Sequence, residues 1–286
     1  MATKAPPARP KAITKLADGT GFRNWLIYGD SGVGKTVFAG TAPKALILTV
    51  EAEGTESARA MGSTADEWVI DSWEELLEAF AWLKSGGIEH YEWVVVDSLS
   101  EMEELCWRFV LEAGVKAKPG SRTLDKPALE DYQIVGNKVK RLVDQFNRLK
   151  VNVLYTAQVM RRTVEDEEGD DVELRQPLLG STRNGVISQK VCGMVTLVGL
   201  LVATKADEDE DIPAGRRLWL AGSERYLAKD RHDTFDRYVQ DPNVAEMDAA
   251  VKARKASGSK VMNTGKKAKA KTKKAKPATE QEESAA

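Results

Sequence analysis

Cysteine and histidine are scarce, two of each in 286 residues. Cys106 and Cys192 form no closely spaced pair, and only His90 and His232 could join them. That excludes a disulfide framework and a spaced zinc-ligand set, and it is the cysteine usage expected of a cytoplasmic protein. Long apolar runs are also missing. The longest, Met194 to Ala203, falls well short of the roughly 20 residues that a membrane-spanning helix requires. The first residues contain no apolar core of a secretory signal, so no membrane partner is expected. A strong overall charge is absent too, the net being -2, but the average hides an asymmetry. Residues 252 to 276 carry eleven Lys or Arg and no acid, which leaves the chain before them distinctly acidic.

What is present is concentrated between Arg23 and Thr36. A short apolar strand leads into Gly29-Asp30-Ser31-Gly32-Val33-Gly34-Lys35-Thr36, the P-loop spacing Gly-x-x-x-x-Gly-Lys-Thr. Glycines let backbone N–H groups close around a phosphate. Lys35 is placed to reach the β- and γ-phosphates of ATP, and the Thr36 hydroxyl to ligate Mg²⁺. At ordinary glycine frequency such a pattern arises by chance in roughly one chain in a hundred of this length.

The rest of the chain alternates strand and helix signals. Ala45–Val50 and Glu92–Asp97 are continuous apolar runs, as in strands buried on both faces of a parallel sheet. Glu67–Ile70 is a shorter strand. Ser72-Trp-Glu-Glu75 is a capping box that opens a helix ended by Gly86-Gly87. Ser98 or Ser100 caps the next helix. A basic loop is expected over residues 114–127, then a long helix with Tyr132, Val135, Val139, Leu142, Phe146 and Leu149 on one face, then a strand from Val151 to Ala157 ending at Gln158. Residues 161–186 read as polar and irregular, Met194–Ala203 and Arg217–Leu220 as strands, and residues 243–251 as the close of the body. The order predicts an α/β P-loop NTPase with a mainly parallel central sheet flanked by helices. Residues 1–19 form a disordered arm, 20–245 the nucleotide-binding domain, and 246–286 a basic low-complexity tail.

A P-loop enzyme also needs an acid at the end of a neighbouring strand to organise the metal through water. Asp97 occupies that place. No Glu follows it, since the next residue is Ser98, so the group that activates water comes from elsewhere. Glu51 and Glu53 both stand beyond the end of one strand, and Gln158 beyond the end of another, where ligands of open α/β sheets bind.

These pieces together resemble the RecA-type ATPase core, and especially the compact phage-encoded RecA-like AAA-ATPases of recombination and single-strand annealing, over roughly residues 20 to 240. The resemblance rests on the P-loop, Val-Val-Val-Asp97, Glu51-Ala-Glu53 and Tyr-Thr-Ala-Gln158. It implies that Glu53 is the catalytic glutamate and that Gln158 senses the γ-phosphate. It implies a DNA-contacting loop over 159–185, with Arg161, Arg162, Arg175 and Arg183 as phosphate contacts, although the acidic run 165–171 argues against that loop tracking a phosphate backbone unaided. Lys229-Asp-Arg231 resembles a terminal element whose Lys229 and Arg231 act in trans on a neighbouring subunit's nucleotide. The partners so implied are single-stranded DNA, a single-strand-binding protein and further copies of the chain in a ring or filament. In the tail, Lys266, Lys267, Lys269, Lys271, Lys273 and Lys274 are further DNA contacts, acting through charge alone. Two other uses fit a P-loop: a nucleotide-switched replication or assembly factor with slow hydrolysis, and a small-molecule kinase.

Overall fold

The structure, a computed structural model, describes residues 21–165, 168–180, 186–204 and 214–257. The elements in order are β1 (Asn24–Gly29), α1 (Lys35–Ala39), β2 (Ala45–Thr49), α2 (Glu56–Ala60), β3 (Asp66–Val69), α3 (Trp73–Lys84) and β4 (Trp93–Asp97). There follow α4 (Leu99–Ala117), α5 (Leu129–Asn147), β5 (Asn152–Glu165), β6 (Asp171–Pro177), α6 (Val186–Met194), β7 (Leu197–Thr204) and β8 (Gly215–Trp219). Two short strands, β9 (Lys229–Asp230) and β10 (Tyr238–Gln240), precede α7 (Val244–Ser257).

Six strands run parallel in the order β7-β1-β5-β4-β2-β3. β8 and β10 extend the β7 side antiparallel, and β9 pairs antiparallel with the start of β7. The continuous apolar runs have the cause expected of them. Side chains alternate along a strand, and both faces are covered. Leu26, Tyr28, Leu48, Val94, Val96 and Tyr155 point to a core shared with α3, α4, α5 and α6. Trp25, Ile27, Ile47, Trp93, Val95 and Leu154 point to a second core closed by α1 and α7. The α/β architecture with a mostly parallel sheet is therefore as expected from the sequence.

Local signals also held at the helix starts. The Ser72 side chain accepts from Glu75 N–H at 3.1 Å, and Ser98, rather than Ser100, caps α4 by accepting from Glu101 N–H.

Four stretches differ from expectation. Helix α4 runs on to Ala117 through Gly114, against which the Arg122 guanidinium lies while it pairs with Asp131, so the connecting loop is shorter than 114–127. Residues 161–186 are not irregular. β5 continues past Gln158 to Glu165 and turns back as β6, a hairpin whose outer half is only partly buried. Its polar alternation disguised it, because a strand pair projecting from the core needs no apolar run. Helix α6 then packs Val191 and Cys192 into the core just before β7, where no helix was expected. At the end of the body, α7 carries buried Met247, Ala250 and Val251 past residue 246, so the expected start of the tail lies within a packed helix. The arm at 1–19, and the tail from residue 258 onward with its lysines, lie outside the described residues.

Candidate functional site

The parallel register lines up one end of the sheet. Gly29, the last residue of β1, pairs with Gln158 on β5, and Asp97, the last of β4, pairs with Thr49 on β2. β5 lies between β1 and β4, so Gln158 comes beside the P-loop and Asp97 sits one strand further on. A cleft of about 300 Å³ opens there, lined by Ser31, Gly32, Gly34, Lys35, Thr36, Thr49, Glu51, Ser57, Asp97, Glu101, Gln158 and Arg216 among others.

Gly32 and Gly34 take φ of 73° and 96°, a left-handed turn that side-chain-bearing residues rarely adopt. The turn delivers Lys35 into the cleft as a buried residue. Its Nζ donates to the carbonyls of Gly29 (3.0 Å) and Asp30 (2.8 Å) and to Gln158 Oε1 (3.4 Å). Burial pulls the Lys35 pKa below its usual value, against the opposing pull of Asp97, Asp30 and Glu51. Asp97 accepts a hydrogen bond from the buried Thr156 hydroxyl, which orients its carboxylate.

Of the two candidate glutamates, Glu51 lines the cleft. Glu53 is exposed in the following turn and stands outside the lining. Two residues of the cleft wall, Glu101 and Arg216, and Thr156 buried behind it were given no role from the sequence. Glu101, in the first turn of α4, has its pKa raised by burial and then by Glu51 and Glu104. Its place near a helix start was legible, but its direction was not. Thr156 polarises Asp97, and Arg216 reaches across from β8 to the P-loop backbone, donating from Nε to the Val33 carbonyl at 2.9 Å. No local pattern marks Arg216, which is 183 residues from its partner.

Gln158 is tied to the segment beyond β6. Its N–H donates to Ser100 Oγ (3.0 Å), and that hydroxyl donates to the Leu178 carbonyl (2.9 Å). The Leu178 N–H donates back to the Gln158 carbonyl (2.7 Å). Both carboxylate oxygens of buried Glu103 accept from Gly180 N–H at 2.8 Å.

The remaining predicted residues are spread out. Arg161 pairs with both oxygens of Asp30 in the P-loop (2.7 and 2.8 Å) and lies 3.7 Å from Glu173. Arg162 lies on the other side of the same strand, and Arg175 pairs with Glu173 on β6. Arg183 and Lys266, Lys267, Lys269, Lys271, Lys273 and Lys274 lie outside the described residues. Lys229 and Arg231 sit where β9 meets the start of β7, at the opposite end of the sheet from the cleft. Burial, reinforced by Arg231, lowers the Lys229 pKa to about 8. Arg231 donates to the Gly193 carbonyl at 3.0 Å.

The donor set fits a magnesium nucleotide. Thr36 and Asp97 offer hard oxygen ligands, and no cluster of three His, Cys, Asp or Glu that could hold a metal ion alone exists among the described residues. Mg²⁺ is commonly bound in this way, through one or two protein oxygens with phosphates and water completing the shell. Among the described residues no helix is long and apolar enough to cross a membrane.

No curated protein matches the chain. A family model described as an AAA domain matches residues 22–232, a span that contains all six parallel strands and the whole lining of the cleft. Since the matched stretch is most of the chain and builds the cleft around Lys35, the protein belongs to the AAA-type P-loop ATPase family.

Proposed function

We propose that the protein is a Mg²⁺-dependent ATPase stimulated by single-stranded DNA, acting in recombination or single-strand annealing as the phage-encoded RecA-like group does. Mg-ATP supplies the γ-phosphoryl group and an electrophilic phosphorus. Lys35 neutralises the phosphates, and Thr36 and the Thr156-oriented Asp97 hold the metal shell. A carboxylate orients and deprotonates the attacking water. Glu51 takes this role on position, while the RecA resemblance assigns it to Glu53. Homo-oligomerisation, with Lys229 and Arg231 completing a neighbour's site, and association with a single-strand-binding protein belong to the same proposal.

The observation that carries DNA dependence is the bonded path from Lys35 through Gln158 and Ser100 to Leu178, which lies within the segment 159–185 expected to face DNA. A contact change at Gln158 is thereby transmitted to that segment.

The test is ATP hydrolysis by the full chain with and without single-stranded DNA, with Lys35→Ala as blank. A rise of roughly tenfold, about 1.4 kcal/mol of barrier, that is lost in Ser100→Ala supports the reading. A rate indifferent to DNA refutes it. Tight nucleotide binding with almost no turnover favours the nucleotide-switched assembly factor instead.

A further inference from the structure

Arg216 is placed as a nucleotide contact by three observations independent of the P-loop pattern. Its position is held at both ends. The backbone N–H donates to Asp241 Oδ1 (2.8 Å), and the side-chain Nε donates to the Val33 carbonyl (2.9 Å). Its guanidinium lies directly over the loop. A Cβ built on Gly34 would stand 2.4 Å from Nε, 2.9 Å from Cζ and 3.1 Å from Nη2. Position 34 favours glycine through its φ of 96°, and any Cβ placed there would push the Arg216 guanidinium off the loop.

The third observation is what is left unused. Among the described residues neither Nη group of Arg216 has a hydrogen-bond acceptor, and no carboxylate pairs with it. The cleft wall carries the carboxylates Glu51, Asp97 and Glu101 against the cations Lys35 and Arg216, and Lys35 already donates to three acceptors. A polyanion entering this acidic cleft needs further positive charge. A guanidinium anchored through Nε still offers donors in a planar fork, the geometry that matches phosphate oxygens.

We infer that Arg216 is a phosphate clamp supplied by the same chain, its Nη groups hydrogen-bonding the phosphate chain of the bound nucleotide while Nε keeps hold of the P-loop. This rests on the nucleotide reading of the cleft. The clamp needs no neighbouring subunit, in contrast to Lys229 and Arg231, so it operates in the monomer.

The test measures dissociation constants of the full chain for Mg-ATP and for Mg-tripolyphosphate by displacement of a fluorescent nucleotide. Wild type is compared with Lys35→Ala, Arg216→Gln and Arg216→Lys. Arg216→Gln is expected to bind both ligands roughly 10- to 100-fold more weakly, the effect of losing charge-assisted hydrogen bonds, and Arg216→Lys to fall between it and wild type. Arg216→Gln binding like wild type overturns the inference. So does a loss confined to ATP, which would mark a base contact, and so does Arg216→Lys matching wild type, since lysine lacks the fork. Unfolding midpoints without nucleotide establish that each variant is folded, and if Arg216→Gln does not fold, the Arg216→Lys comparison decides alone. Wild type and Lys35→Ala both failing to bind Mg-ATP would instead strike the nucleotide reading itself.

Discussion

Replacing Glu103 with Gln should make the protein more stable at alkaline pH and leave it unchanged at acid pH. Glu103 lies inside α4 with only 5% of its surface exposed, and both of its oxygens accept from Gly180 N–H. Burial pushes its pKa from 4.5 to about 7, Glu104 adds to the rise, and the Gly180 N–H opposes it. Between those two values the folded chain holds a proton that the unfolded chain has released. The stability tied to this group is therefore complete below about pH 4.5 and is lost as pH climbs through 7. The difference corresponds to roughly 3 kcal/mol. A Gln has nearly the shape of the protonated acid, and its Oε1 still accepts from Gly180, so Glu103→Gln should gain about 1–3 kcal/mol over wild type at pH 8 and nothing at pH 4.5. Urea unfolding of both proteins across that range measures it, and groups common to the two cancel in the difference. A variant less stable than wild type at pH 8, or a difference that does not change with pH, would refute the reasoning.

Lys35→Ala should weaken Mg-ATP binding by at least roughly tenfold, since it removes the buried cation that bonds to Gly29, Asp30 and Gln158; equilibrium displacement of a labelled nucleotide checks it. Glu51→Gln should cut turnover by about 10²- to 10⁴-fold with ATP affinity retained, while Glu53→Gln, outside the cleft wall, should stay near wild type in steady-state kinetics; the reverse ranking would return the catalytic role to Glu53. Ending the chain after Ser257, the last residue of α7, should leave the unfolding midpoint unchanged and weaken single-stranded DNA binding mainly at low salt, as counterion release predicts. Anisotropy titrations at several salt concentrations read that out, and equal affinity at every concentration would count against a DNA role for the tail.

The sequence by itself determined whatever is local. Eight consecutive residues specify the P-loop, because a left-handed glycine turn and the lysine after it need no distant partner. Ser72 specifies a helix start for the same reason, whereas the choice of Ser98 over Ser100 at the next helix fell to the structure. Apolar runs such as Trp93–Val96 announced strands covered on both faces, so the parallel α/β class was legible as well. The hairpin of β5 and β6 was not, since its exposed, charged outer strands carry none of the apolar signal that burial imposes. Only the tertiary structure decided which residues meet. Strand order cannot be read from the chain, yet the insertion of β5 between β1 and β4 is what sets Gln158 against Lys35 and Thr156 against Asp97. The path of the turn after β2 brings Glu51 rather than Glu53 to the wall. Arg216 comes to Gly34 because β8 folds back along β7 at the edge of the cleft, a closure over 183 residues that no spacing rule records.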